Sequence, residues 1–594
     1  MSGKEVTPAQ SSSPQAELNA LVSLFNAQRF AEVERGARAF VDRYPGAATG
    51  WKLLGISLHM QGKDSLPTLQ KTAELFPGDA SVHNNLGNAY RDRNQSDDAI
   101  ACYRRALAIK PDFLGTNYNL GVLLHEIGQI NEAMVCCGNE LRLDAGYAEV
   151  HNLQGSLYKE FGQLEEALKC FRRALELKPD FIEAYSNALF ILNYTTYTPE
   201  HCLEEARRFG KVATSLAQRP FTAWRCVNPP QRLRIGLVSG DLLNHPVGHF
   251  LESILGQIDS HRVELVAYST NRRTDELTTR IRPYFSEWRY LSGQSDEAAA
   301  QLIHADGVHV LVDLSGHTGY SRLPVFAWKP APVQVSWLGY FATTGIAEMD
   351  YLLADQVGVP EARRGDFTES VWYLPDTRLC FTAPKVNLAV SPLPSLSNGV
   401  ITFGCYQSLP KLGDDVLAVW GEILAAIPNA RLRFQRKQLG EPEVAAQLLQ
   451  RLQHYGIPPE RVTLHGNTHR DAYLASHAEV DMILDTFPYP GGTTTCEALW
   501  MGVPTLTLTG DSLRASQGAS LTAAAGLSDW IAADKEAYIA KAIAFAGDLP
   551  KLAALRAGLR DQVLASPLFD ASRFAKNLEH ALWGMWEARQ KTAI

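Results

Sequence analysis

A 34-residue period runs through the first third of the chain and restricts that region to stacked helix pairs. Gly87, Gly121 and Gly155 are spaced by 34, and so are Ala99, Ala133 and Ala167. Tyr103, Cys137 and Phe171 keep the step, as do Pro111, Ala145 and Pro179. The segments NNLGNAYRDRNQSDDAIACYRRALAIKPD and HNLQGSLYKEFGQLEEALKCFRRALELKPD are near copies. Small Gly and Ala let the two helices of a pair approach, and larger residues fill the holes. Pro179 ends a helix, because it lacks an N–H and clashes with the preceding turn. One pair cannot bury its own apolar face, so neighbours must stack. Gly55 and Pro77 mark a weaker unit before the array, residues 16–45 read as a degenerate capping repeat, and a last partial repeat begins at FIEAYSNALFILNY.

These residues resemble the tetratricopeptide (TPR) family, which implies a superhelix with a concave groove. Asn85, Asn119 and Asn187 fall at equivalent positions of the first helix of each pair, with Leu153 interrupting the ladder. The amides either hydrogen-bond an extended peptide or cap and solvate the groove.

At 594 residues the chain is too long for one core. The net charge of −8 leaves no excess of Lys and Arg to neutralise phosphates, which argues against a general nucleic-acid binder. The N-terminal MSGKEVTPAQSSSPQ has no apolar signal-peptide core. No apolar run approaches the ~20 residues of a membrane span. The expectation is a soluble cytoplasmic protein with no membrane partner. The nine cysteines form no CxxC pair. Cys102, Cys136 and Cys170 are 34 apart, which makes them small apolar repeat positions.

After the array come a helical stretch, PEHCLEEARRFGKVATSLAQ, and a Pro-containing connector, FTAWRCVNPPQ. From Arg232 short apolar runs alternate with helix-length stretches: RLRIGLVSGD, VELVAYS, VHVLVDLSG, VQVSWLGY, DYLLAD and SVWYLPD. A second series follows SPLPSLSNG: VITFGCY, ARLRFQ, RVTLHG, DMILDTF and PTLTLTG. Such runs imply parallel sheets covered on both faces. Two α/β lobes make a cleft, with ligands outside the carboxyl ends of the strands. The expected divisions are a superhelix at 16–200, a helical linker at 201–231, a first lobe at 232–395, a second lobe at 396–565 and a C-terminal helical segment at 566–594. No GxGxxG or GxxxxGK[ST] loop follows the first strands of either lobe. No Asp-x-Asp pair or His/Cys/carboxylate cluster has metal spacing. Protein cations are therefore expected in place of a metal, and no cofactor.

In GGTTTCEALW, Gly491 and Gly492 permit a tight turn and Thr493 and Thr494 open a helix. Free N–H groups and the positive dipole end there suit a diphosphate. The competing reading is helix capping by Thr. Glu497, one turn on, has the reach to accept from ribose hydroxyls. In the first lobe, GDLLNHPVGH sets Asp241, Asn244, His245, Pro246 and His249 at a strand's carboxyl end. A histidine there can take a hydroxyl proton near neutral pH, or position sugar or phosphate by hydrogen bonds. Asp241 competes as a proton sink through water.

Residues 232–590 resemble the catalytic region of the protein O-GlcNAc transferase family. The matching runs are RIGLVSGDLLNHPVGH, APVQVSWLGYFATTGIAEMDYLLADQ, PKLGDD, LDTFPYPGGTTTCEALWMGVPTLTL and SPLF. The resemblance implies a GT-B fold of two Rossmann-like lobes behind the TPR superhelix. It implies inverting, metal-independent transfer of N-acetylglucosamine from UDP to Ser or Thr hydroxyls. The long inter-lobe insertion of animal members is absent. By the same resemblance, Lys411 sits beside the diphosphate and neutralises the leaving group, and His245 matches a proposed base. Asn85, Asn119 and Asn187 bind acceptor peptide, and the groove leads it towards the cleft. Gly339 and Tyr340 belong to a first-lobe loop over the sugar. Ser408 stands where animal members have Gln, Arg470 where they have a uracil-side Lys, and Glu497 where they have Asp. Two alternatives stay open: another nucleotide sugar or acceptor on the same framework, and a non-catalytic TPR scaffold with a UDP-binding half.

Overall fold

The computed structural model describes residues 13–592. The polar N-terminal stretch read above lies, up to residue 12, outside the described residues. The chain divides into two compact units, Met1–Leu157 with Arg173–Pro179, and Tyr158–Arg172 with Asp180–Ile594.

The first unit is built from the repeats. Helices Pro14–Asn26 and Phe30–Arg43 form the capping pair, and Ala48–Met60 with Leu66–Leu75 the weaker unit. Ala80–Arg91 with Ser96–Ile109, and Thr116–Ile127 with Ile130–Leu143, are full repeats. The Tyr103 ring lies against Gly87 so closely that a Cβ there would be 2.6 Å from Cε1. At Gly121 a Cβ would lie 3.3 Å from the Cβ of Cys136. Ala99 and Ala133 are fully buried at the same interfaces. Helix Ala80–Arg91 starts where Asp79 accepts a hydrogen bond from the Ser81 N–H at 2.9 Å, a side-chain cap.

The second unit carries two parallel sheets. The first has β1 Leu233–Ser239, β2 Val263–Ser269, β3 Glu287–Tyr290, β4 Val310–Asp313, β5 Val333–Ser336, β6 Tyr351–Ala354 and β7 Ser370–Tyr373. Its order is β3-β2-β1-β4-β5-β6-β7, with Val238 opposite both Tyr268 and Asp313. The second has β8 Thr402–Cys405, β9 Arg431–Gln435, β10 Val462–His465, β11 Met482–Leu484, β12 Thr505–Leu508 and β13 Ile531–Ala532, in the order β10-β9-β8-β11-β12-β13. The near-continuous burial of β1, β2, β4 and β12 explains why these strands were readable as apolar runs. β3 is an edge strand of half-buried Glu, Trp, Arg and Tyr, and β13 is two residues long. Neither offers an apolar run, and the sequence reading contains neither.

Helices Ile182–Leu192 and Pro199–Leu216 belong to this second unit, and Pro199–Leu216 locks onto it by backbone contact. A Cβ at Gly210 would lie 1.8 Å from the Gly345 carbonyl oxygen, and one at Gly345 would lie 2.0 Å from that of Ala206. Gly345 also has a φ of +76°. Gly210→Ala is therefore expected to destabilise the second unit by about 1–3 kcal/mol, the usual cost of overpacking. Thermal unfolding would show it as a lowered Tm, whereas an unchanged Tm would mean the crossing can spread without cost.

Residues 374–401 lead from one sheet to the other, and the helix Ala571–Thr592 returns to the first. There Phe574 stacks on Trp337 at 6.0 Å, Trp586 meets His309 at 5.0 Å, and Glu579 accepts from the Asp259 N–H at 2.8 Å. Among the described residues no helix is long and apolar enough to cross a membrane.

Candidate functional site

The carboxyl ends of both sheets face a cavity of about 510 Å³. In the second lobe, β11 runs into the buried Asp485, which organises the loop after it. Its Oδ1 accepts from the N–H groups of Thr486 (3.0 Å) and Gly491 (2.8 Å) and from Gln407 Nε2 (3.2 Å). Its Oδ2 accepts from the Thr507 hydroxyl at 3.1 Å. Gly491 is sterically required, since a Cβ would lie 2.3 Å from Thr495 Oγ1 and 2.5 Å from Gln407 Nε2. Gly492 holds the cap position of helix Thr493–Trp500, and no side chain caps the first turn. Thr493 and Thr494 lie inside the helix and line the cavity, so they do not cap it. The Thr494 hydroxyl accepts from Gln407 at 2.9 Å and keeps its own proton to donate. The arrangement is an uncapped, electropositive helix start beside hydroxyls able to donate.

Lys411 follows β8 through the turn Leu409–Lys411. Its Nζ donates to the Pro490 carbonyl at 2.7 Å and to Gln407 Oε1 at 3.4 Å, and lies 4.0 Å from the centre of the Tyr489 ring. An ammonium has three donors, so one remains for a ligand. Burial pushes the lysine down to about 8, against the pull of Asp485, with the Arg436 charge adding to the fall. Burial likewise raises the carboxyl of Asp485. Farther along the cavity, Arg470 is ion-paired with the buried Glu497, which also accepts from the Tyr473 hydroxyl at 2.9 Å. Both partners of Glu497 are thus internal, and any ribose hydroxyl must share it with them.

In the first lobe, β1 ends at Ser239, whose hydroxyl accepts from the Asp241 N–H at 2.9 Å. His245 is the cap of helix Pro246–Leu255, and Pro246 at its first position has the fixed φ a helix start needs. His245 Nδ1 lies 3.4 Å from the Val247 N–H and 3.6 Å from Asp241 Oδ2. Unprotonated, Nδ1 accepts from Val247; protonated, it faces Asp241 and leaves Nε2 bare. The second tautomer is the one a general base requires. Burial lowers His245 while the Asp241 charge raises it; burial raises Asp241 while His245 lowers it. His249 is pushed down to about 4, first by burial and then by Arg470, so it is neutral at pH 7.

The cavity thus gathers Asn244, His245, Pro246, His249, Ser408, Lys411, Arg470, Gly492, Thr493, Thr494 and Glu497. Asp241 reaches it through His245. Gly339 and Tyr340 are not brought to it. Tyr340 is buried, its hydroxyl donating to the Leu189 carbonyl at 3.4 Å, and a Cβ on Gly339 would lie 2.0 Å from the Leu314 carbonyl. Phe341, the next residue, lines the cavity instead. Of the amide ladder, Asn119 donates to Asn84 at 3.1 Å; Asn85 is half-buried on its own helix. Asn187 is half-buried on helix Ile182–Leu192, in the second unit. Sequence reasoning missed Gln407, Arg436, Tyr473, Tyr489 and Gln517, which line the cavity. Tyr489 had a readable signal, being two residues before the Gly491–Gly492 pair. A buried glutamine such as Gln407 had none.

Residues 202–388 and 385–578 match glycosyl transferase family 41. Residues 87–128 match a TPR repeat and 148–181 a tetratricopeptide repeat. The probable UDP-N-acetylglucosamine–peptide N-acetylglucosaminyltransferase SPINDLY of Petunia hybrida is 36% identical over 418 residues, 69% of this chain and 44% of its own. The probable enzyme of the same description named SEC, from Arabidopsis thaliana, is 32% identical over 413 residues, 65% of this chain and 41% of its own. The chain spans about half the length of the curated relatives it matches. The structure is similar to that of a mutant of the Thermobaculum terrenum O-GlcNAc transferase, at 34% identity and a TM-score of 0.81, covering 87% of this chain and 98% of that one.

Proposed function

The chain belongs to glycosyl transferase family 41, and on that premise we propose that it moves N-acetylglucosamine from UDP-N-acetylglucosamine to Ser or Thr hydroxyls of protein acceptors, inverting the anomeric centre without a metal. The observation that carries the reading is one cavity that joins Lys411, the uncapped helix start at Thr493 and His245 with Asp241 behind it. The acceptor oxygen attacks the anomeric carbon as the bond from that carbon to the β-phosphate oxygen breaks on the opposite face. The hydroxyl proton passes to His245 Nε2, or through water to Asp241. UDP leaves as an anion held by the Lys411 ammonium and the first-turn N–H groups, preorganised where charge develops. The two lobes hold both substrates in near-attack geometry. The repeat helices, with Asn85, Asn119 and Asn187, are proposed to bind acceptor protein.

The metal-free part of the reading rests on the cationic and dipolar groups at hand, the Lys411 ammonium and the first-turn N–H groups of helix Thr493–Trp500, which can take the leaving charge themselves. UDP is expected to bind with equal affinity in excess EDTA and in buffer with magnesium. Calorimetry reads this directly, and loss of binding on chelation would sink the metal-free part of the reading. A panel of UDP- and GDP-sugars incubated with cell lysate and read by mass spectrometry tests donor and acceptor together. The expected product is a protein Ser or Thr carrying one N-acetylhexosamine.

A further inference from the structure

We propose that Arg436 is a second phosphate-binding cation of this site, taking anionic oxygens of the bound nucleoside diphosphate alongside Lys411. The inference rests on the donor reading above and deepens it. Arg436 lies just past the carboxyl end of β9, the strand paired with β8, and the turn after β8 bears Lys411. Its backbone N–H donates to the His465 carbonyl at 3.0 Å, which roots it in the sheet. Its side chain lines the cavity.

What marks it out is the lack of a partner. Arg470 has Glu497, and Lys411 has the Pro490 carbonyl and Gln407. The guanidinium of Arg436 has no hydrogen bond or ion pair among the described residues, and its Nε is buried with none. A buried donor left unsatisfied costs free energy, and a charged one costs more. The acidic side chain of the cavity lining, Glu497, is ion-paired with Arg470 and accepts from Tyr473, and the Arg436 charge acts on it only through space. The Arg436 charge also bears on Lys411, where it opposes protonation. Two cations that disfavour each other in one cavity are both relieved by an anion between them. A diphosphate supplies that anion, and a planar guanidinium presents the donor pairs phosphoryl oxygens accept. In sequence the residue stands one position past ARLRFQ, the run read above as a strand, and nothing in that pattern singles it out.

The test is calorimetric titration of the full chain, wild type beside Arg436→Gln and Arg436→Lys, with UDP, GDP and inorganic pyrophosphate. Arg436→Gln is expected to weaken UDP by about 10- to 100-fold, the scale of lost charge-assisted hydrogen bonds, and to weaken pyrophosphate in parallel. Arg436→Lys, which keeps the charge without the fork, is expected to fall between. Thermal unfolding of each variant confirms that the fold is kept. Equal UDP affinity in wild type and Arg436→Gln overturns the proposal. So does unchanged UDP affinity with a raised KM for acceptor, which would give the guanidinium to an acidic acceptor side chain. Wild type that binds no nucleoside diphosphate overturns the transferase reading itself.

Discussion

Replacing Lys411 with alanine is expected to slow sugar transfer by about 10²- to 10³-fold, the usual effect of removing one preorganised charge stabiliser. The ammonium is fixed from three sides, by the Pro490 carbonyl, Gln407 and the Tyr489 ring, so little reorganisation accompanies departure of the diphosphate. Lys411→Arg is expected not to rescue the rate, since a planar fork cannot occupy the place of a point charge above a ring. A pH dependence follows. In the proposed mechanism the charged form binds the diphosphate, and burial has pushed the lysine down to about 8. UDP affinity should hold at pH 7 and decline as pH rises through that value, and binding above it should take up protons. Calorimetry in buffers of different ionisation enthalpy reads both effects. Near-normal transfer by a folded alanine variant would remove Lys411 from the mechanism.

His245→Ala is expected to lose about 10²- to 10⁴-fold in the chemical step, the range general bases contribute, while UDP binds near-normally. The imidazole approaches the cavity from the first lobe, whereas Lys411 and the uncapped helix belong to the second. Asp241→Asn is expected to be severely impaired too. It keeps the shape but removes the carboxylate 3.6 Å from Nδ1, and with it the reason for the tautomer with a bare Nε2. Burial has lowered His245, so it stays neutral as pH falls below the ordinary imidazole value of about 6.5. The acid limb of kcat/KM should therefore lie below that value, activity being lost as His245 gains its proton. Single-turnover kinetics beside UDP affinities decide the roles. A normal chemical step in His245→Ala would leave the proton to Asp241 alone; donor affinity and rate falling together would make His245 a donor-binding group.

Periodic features were legible in the sequence and local side-chain satisfaction was not. The 34-residue step set the repeat helices because a glycine such as Gly87 is demanded by one specific ring, that of Tyr103. The apolar runs set eleven strands of the two sheets, and missed only β3 and β13, which lack such runs. Glycine-rich loops also announce themselves, and Gly491 is needed for contacts that no Cβ would allow. Around the cavity the text of the sequence is thinner. WLGY gave no means to tell that Tyr340 turns inward and Phe341 outward, a phase difference of one residue in irregular backbone. Glu497 reads as a free acceptor until Arg470 and Tyr473 are seen against it. Gln407, which joins Lys411, Thr494 and Asp485, carries no pattern at all, because its role is made largely of two contacts distant in sequence, to Thr494 and Asp485.

The helix Ala571–Thr592 has a consequence for how the chain is made. It closes over the first sheet at Trp337, His309 and Trp372, yet it leaves the ribosome after the whole second lobe has emerged. Order of synthesis and order of completion are therefore inverted. The second sheet can finish while the first still waits with an open apolar flank. During translation that flank stays uncovered, and exposed apolar surface is what makes unfinished domains aggregate.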